Sequence, residues 1–307
     1  MSKRELIWGL AMLLLIVIPV GVYSLLTLHP RKPEPGQRFI AEINSSTTLE
    51  LKGVCYADAV SPGVRCWRAN GERLADDTFA KRGSTPDGNG HTVSFVLRQQ
   101  GAAENEYLPM RFHPRNCRGG HSAGISFERR EGDLYSDGAV TFDAQPGFWG
   151  TTDIDVWIAS QPDQLIATMK DGDAAQEVFV AGEMLKISLA DSELASANVT
   201  GKPPEKDLVV RSERSLPNSY ELQFRVINDI TGLQARSGSR WGATGKESVN
   251  GKLVPTVRFN LGDITDCTVQ LLVRHYDRTV TFSGISLSPE KYSAPRVSDV
   301  RPLEIPE

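Results

Sequence analysis

Residues Tyr220–Ile227 read YELQFRVI, and the order of side chains in this stretch decides the fold class. Tyr220, Leu222, Phe224 and Val226 alternate with Glu221, Gln223 and Arg225. A period of two sends the apolar set to one face of a strand and the polar set to the other, as in a sheet with one face buried and one wet.

The same alternation, broken by Gly, Pro, Asn and Asp, recurs in both directions along the chain. It is clearest in HTVSFVLR (His91–Arg98), VPTVRFNL (Val254–Leu261), TVQLLVR (Thr268–Arg274) and TVTFSGISL (Thr279–Leu287). No segment after Leu28 holds a helical period, although Gly182–Ala190 fits one strand or a short helix equally well. Many short strands between turns predict antiparallel sandwiches or barrels rather than a parallel βαβ sheet. The expected fold is therefore mostly β, with a β-sandwich-like ectodomain in two domains, residues 39–165 and 166–290. The turn-rich Ser160–Ala175 marks the boundary, and Gly201–Asn218 reads as a long loop carrying one short strand. Residues 291–307 are proline-rich and poor in apolar side chains, so they are expected to form a disordered tail or one draped over the surface.

Before the strands, Leu6–Leu28 runs without a charge, and as a helix it would reach about 34 Å, enough to span a bilayer core. Pro19 and Gly21 are tolerated in such helices, and Trp8 and Tyr23 lie toward the ends, where amphipathic rings settle. Residues 1–5 then form a cytoplasmic tail, 6–28 a transmembrane helix and 29–38 (HPRKPEPGQR) an extended linker. A cleaved signal peptide is the rival reading, with Lys3 and Arg4 as its positive region and Val22–Ser24 as a cleavage site, but the apolar run continues past that site. Glu5 also suits the start of a type IV pilin, yet the glycine that pilin processing needs is missing. The preferred expectation is a single-pass membrane protein with its C-terminal part extracytoplasmic.

The 34 basic and 38 acidic side chains leave a net charge of -4, without the basic excess of a nucleic-acid binder. The chain has four cysteines, an even number, in a disulfide-permissive location. Cys55 closes the apolar run LELKGVCY and Cys66 opens VRCW, so a turn at Ser61-Pro62-Gly63 would put them on facing strands within bridging distance. A redox site would want Cys-x-x-Cys spacing, which is absent. Cys117 and Cys267 are then either a second pair or two buried thiols.

HPRNCRGGH spaces His113, Cys117 and His121 four apart, as weak candidates for a zinc or copper site. Pro114 and Gly119-Gly120 prevent a helix from aligning them, and no fourth ligand is evident. Asp76-Asp77 and Asp171-Gly172-Asp173 lack the spacing of a calcium loop and read as solvated turns. Trp67, Trp149 and Trp157 offer stacking platforms for sugars, but tryptophan in a β-sandwich more often fills the core. GHSAG (Gly120–Gly124) and SPEK (Ser288–Lys291) have the bare spacings of a G-x-S-x-G elbow and an S-x-x-K nucleophile, but no helical period follows the first as an elbow needs, and the sequence contains no H-E-x-x-H helix or P-loop; the paired carboxylates of a glycosidase are spatial and leave no local signature. No cofactor is expected.

LELKGVCYADAVSPGVRCWRANGERL and VQLLVRHYDRTVTFSGISLSP together resemble two segments of an uncharacterised family of membrane-anchored bacterial envelope proteins. The matching positions are Gly53, Val54, Tyr56, Trp67, Arg68 and Gly71, then Arg274, Tyr276, Phe282, Ile285, Ser286 and Leu287. The resemblance implies an envelope location and β architecture, and no activity. Cys55 and Cys66 stand where the family pattern has Ser and Trp, a paired departure that a bridge would explain and two separate catalytic thiols would not. The expected function is a non-catalytic, membrane-anchored binding, sensing or envelope-structural module, with an envelope protein or polysaccharide as partner. The alternatives are an extracytoplasmic polysaccharide hydrolase and a metal-carrying envelope protein.

Overall fold

The computed structural model describes residues 37–58, 64–74, 91–100, 108–115, 128–129, 135–144, 150–192, 205–240, 245–249, 251–288 and 291–304. Every regular element among them is a strand, and the sheets are antiparallel. The expected tail and helix of residues 1–28, and the linker up to residue 36, lie outside the described residues. No helix among the described residues is long and apolar enough to cross a membrane.

The first strands are β1 (Phe39–Glu42), β2 (Thr48–Asp58), β3 (Val64–Trp67), β4 (His91–Gln100), β5 (Met110–Pro114), β6 (Glu128–Arg129), β7 (Tyr135–Ala144) and β8 (Thr151–Ile158). Then come β9 (Gln164–Met169), β10 (Gln176–Val180), β11 (Glu183–Asp191), β12 (Lys206–Ser212), β13 (Tyr220–Asn228) and β14 (Gln234–Arg240). The last are β15 (Gly245–Val249), β16 (Lys252–Gly262), β17 (Cys267–His275), β18 (Arg278–Ser286), β19 (Arg296–Val297) and β20 (Arg301–Pro302). They divide into two compact units. The first takes the described residues before Leu108 together with Arg111–Val156 and Val280–Val300, and the second takes Leu108–Met110, Trp157–Thr279 and the residues from Arg301 on.

In the first unit one sheet runs β1-β2-β4-β7-β6. β1 and β3 share one edge of β2, pairing with its first and second halves, while β4 covers the other edge. The β2–β4 register shifts between Leu51 and Gly53, a bulge at Lys52. Leu49, Leu51, Val54, Phe95, Leu97, Val140 and Phe142 are all buried, and the rings of Phe95 and Phe142 meet edge to face at 5.8 Å. A second sheet is ordered β19-β18-β8-β5; β19 pairs with Phe282 and Ser283 of β18 within this unit, while β20 pairs with Arg278 and Thr279, which belong with it to the second unit.

The second unit holds the stretch from which the fold class was read. Leu222, Phe224 and Val226 are buried, Glu221, Gln223 and Arg225 are half-exposed, and Tyr220 packs against the core from its rim. β13 belongs to the sheet β14-β13-β17-β9, and the other sheet runs β10-β11-β12-β16-β15. Both fill one core: Leu185, Ile187, Leu208 and Phe259 come from the five-stranded sheet, and Leu222, Phe224, Val269 and Leu271 from the four-stranded one. Each such burial stabilises by roughly 1.5–3 kcal/mol. Gly238 lets β14 approach, because a Cβ there would lie 2.7 Å from Cε1 of Phe224.

Gly182–Ala190, ambiguous in sequence, forms β11, clamped between β10 and β12. The strand inside Gly201–Asn218 is β12, which lies in the middle of its sheet with Leu208 and Val209 fully buried.

Candidate functional site

Cys55 and Cys66 stand directly opposite each other on β2 and β3, with Cα atoms 4.2 Å apart, and form a disulfide. Both are buried against Val96, with Leu74 packed at the side. A bond so enclosed is a staple rather than an exchangeable redox centre. Trp67, next along β3, is buried as the core reading expects, and its Nε1–H donates to the Ser286 carbonyl at 2.8 Å.

The chain then turns tightly. The Gly71 amide donates to the Arg68 carbonyl at 2.8 Å, and Asn70 Oδ1 accepts from the Glu72 amide at 3.0 Å. Gly71 has φ of +86°, and a Cβ there would lie 2.3 Å from the Lys291 carbonyl oxygen, so only glycine fits. The Ser286 and Ser293 amides donate back to Ala69 and Asn70 at 2.8 and 3.1 Å. Two segments more than two hundred residues apart thus lock together around Trp67, Gly71 and Ser286, three positions singled out in the sequence.

Of the spaced trio, only His113 can be placed, on β5; Cys117 and His121 lie outside the described residues. Burial, reinforced by Arg111 and opposed by Asp155, lowers the His113 pKa to about 4, so the imidazole is neutral at pH 7. Beside it Arg115 grips Asp155 with two bonds of 2.9 and 3.0 Å, and the Thr281 hydroxyl donates to the same carboxylate at 2.6 Å. Burial pushes Asp155 up, but the bonds from Arg115 and Thr281 outweigh it and hold the carboxyl below its ordinary value. Among the described residues no three His, Cys, Asp or Glu side chains are grouped to hold a metal ion.

In the second unit Cys267 is a buried free thiol whose Sγ lies 3.4 Å from the Thr265 carbonyl. Burial, and after it Asp229, Asp263 and Asp266, raises its pKa, which disfavours the nucleophilic thiolate. Asp171 pairs with Lys206 at 2.8 Å and Asp173 accepts from the Lys170 amide at 2.7 Å, the work of turn residues. Trp157 lies half-buried on β8, and Trp149, Asp76 and Asp77 lie outside the described residues.

Two charge networks of the second unit escaped the sequence reading. Arg274 binds Asp163 through two bonds of 2.8 and 2.9 Å, and Tyr276 donates to Glu221 at 2.7 Å beside it. Burial, then Glu221, raises the Tyr276 pKa and keeps the phenol protonated. On the other sheet Glu247 lies between Arg211 and Arg258, held at 2.8 and 2.7 Å. In the sequence Arg274 and Tyr276 stand out only as positions of the resemblance; Glu221, Arg211, Glu247 and Arg258 lie on strands whose alternation does not say which strand is the neighbour, and Asp163 and Tyr276 lie just outside strands, where no pattern places them. Comparison of the chain with protein-family models, curated proteins and solved structures finds no match.

Proposed function

We propose that the protein is a membrane-anchored, extracytoplasmic binding, sensing or envelope-structural module without catalysis of its own. The observation that carries this reading is the buried Cys55–Cys66 bridge inside an all-strand architecture, since disulfides persist in oxidising compartments. The apolar run Leu6–Leu28 supplies the anchor, and two β-sandwich-like units form the extracytoplasmic part. The carboxylates Asp155, Asp163 and Glu247 are engaged by arginines, which suits scaffolding better than proton transfer.

The reading is tested on the full chain. Protease added to intact spheroplasts should digest the β units, and the purified protein in detergent should turn over no glycoside, ester or peptide substrate. Protection from protease would remove the location, and turnover would remove the non-catalytic role.

A further inference from the structure

The chain turns from β13 to β14 through Asn228–Leu233, and hydrogen bonds hold this turn from within. Asn228 Oδ1 accepts from the Ile230 and Thr231 amides at 3.1 and 2.9 Å, and the Gly232 amide donates to the Asn228 carbonyl at 2.8 Å. The Asp229 amide donates to the Asp266 carbonyl at 2.8 Å, which ties the turn to the loop between β16 and β17. Gly232 has φ of +69°, a conformation that suits glycine.

Polar side chains suit such a turn, yet it carries Ile230, 79% exposed, and Leu233, 70% exposed. Ile230 is the most exposed large apolar side chain among the described residues. Because the backbone beneath them is already ordered, a partner that covers these two side chains gains their burial at little cost in chain entropy. Asn228 pairs with Cys267 and Met169 with Val269, so the turn lies at the same end of the unit as the loops Lys170–Ala175 and Asp263–Asp266. Every residue of these three loops is described.

Acidic groups prevail around this anchor. Lys170 is taken by Asp229 at 2.6 Å, Lys206 by Asp171 and Asp191 at 2.8 and 3.0 Å, and the Arg236 guanidinium lies over Gly262. Asp173, Asp263 and Asp266 are exposed and take part in no ion pair among the described residues. Asp229, Asp263 and Asp266 are close enough together that all three act on the Cys267 thiol. Residues 193–204, between β11 and β12 and outside the described residues, contain one glutamate and one lysine and leave the balance unchanged. An anionic lipid surface or a nucleic acid carries the same sign and is repelled, and the described carboxylates are not grouped to hold a metal ion. Apolar side chains among unpaired carboxylates complement a segment that is both apolar and basic.

We propose that the β13–β14 turn and the two loops beside it dock a basic, partly apolar segment of a partner protein. Apolar side chains of the segment cover Ile230 and Leu233, and its lysines or arginines meet Asp173, Asp263 and Asp266. This deepens the module reading above and rests on it, by naming the partner's chemistry and the place it binds.

The probe is a fluorescent peptide, Lys-Leu-Lys-Gly-Lys-Leu-Lys, titrated against the full chain in non-ionic detergent at low salt. Expected results are saturable binding, weakening of about threefold in Asp266→Asn and about tenfold in Ile230→Ser with Leu233→Ser, and loss when glutamate replaces lysine in the peptide. All three positions are exposed, and asparagine tolerates the φ of +53° at Asp266, so the variants should keep the wild-type Tm. Absence of saturable binding, an unchanged affinity in the variants, or equal binding of the glutamate peptide would overturn the proposal. So would a dimer in sedimentation that Ile230→Ser with Leu233→Ser dissolves, or a label at Ile230→Cys that lipid nanodiscs bury without peptide. Failure here without substrate turnover discards the docking site and leaves the module reading standing, whereas peptide binding together with turnover does the reverse.

Discussion

Gln99 is 2% exposed on β4, and neither its amide nitrogen nor its amide oxygen has a hydrogen-bond partner. A buried amide left unpaired costs about 1–3 kcal/mol. Gln99→Met keeps the length of the side chain and removes the cost, so chemical denaturation should show a gain of about 1 kcal/mol or more; a loss would mean that the amide is satisfied. His113 supplies a pH-dependent test. The unfolded chain takes up its proton near 6.5 and the native imidazole only near 4, so the unfolded chain binds more protons between these values. The contribution of His113 is therefore complete above pH 6.5 and is lost as the pH falls toward 4. The carboxyls of Glu50 and Glu247, held below 4.5 once bonds from arginine outweigh their burial, give way at lower pH. His113→Asn should flatten the stability curve between 6.5 and 4, and an unchanged slope would assign the dependence to another group. The alternation of YELQFRVI showed in advance which residues enter the core, but nothing in the sequence marked Gln99 as an unpaired amide, because pairing depends on what neighbouring strands offer.

At the scale of elements, β3 is the short strand most dependent on a covalent tie. Reducing the Cys55–Cys66 bond, or replacing both residues with alanine, frees a loop of about ten residues and should cost about 2–3 kcal/mol in the chain-entropy model. The midpoint of thermal unfolding with and without reductant measures this, and no change would remove the staple. The bridge was legible because a turn between two apolar runs brings its flanks together. β11 was not, since nine residues of mixed pattern satisfy a strand or a helix until β10 and β12 supply its hydrogen bonds. β12 was undervalued as a loop strand for a related reason: Val209 is buried although it faces away from the core side chains Leu208 and Val210, so local polarity around it misled.

At the scale of the molecule, the first unit is discontinuous and needs Val280–Val300 as much as its N-terminal strands. A chain ending at Thr279 should therefore lose slow hydrogen exchange in β2, β4 and β7, while the core between Ala167 and Val273 keeps it. Persistent protection in β2 and β4 would show that the first unit stands without β18. By itself the sequence determined the strand class, the inward side chains and the facing cysteines, because each rests on local periodicity or turn chemistry, and its composition set the net charge of -4. The tertiary structure alone decided that Trp67 meets Ser286, that Arg274 finds Asp163 and that Glu247 lies between Arg211 and Arg258. Those are pairings between distant strands, and a strand's alternation says which face is buried without naming the chain that lies beside it.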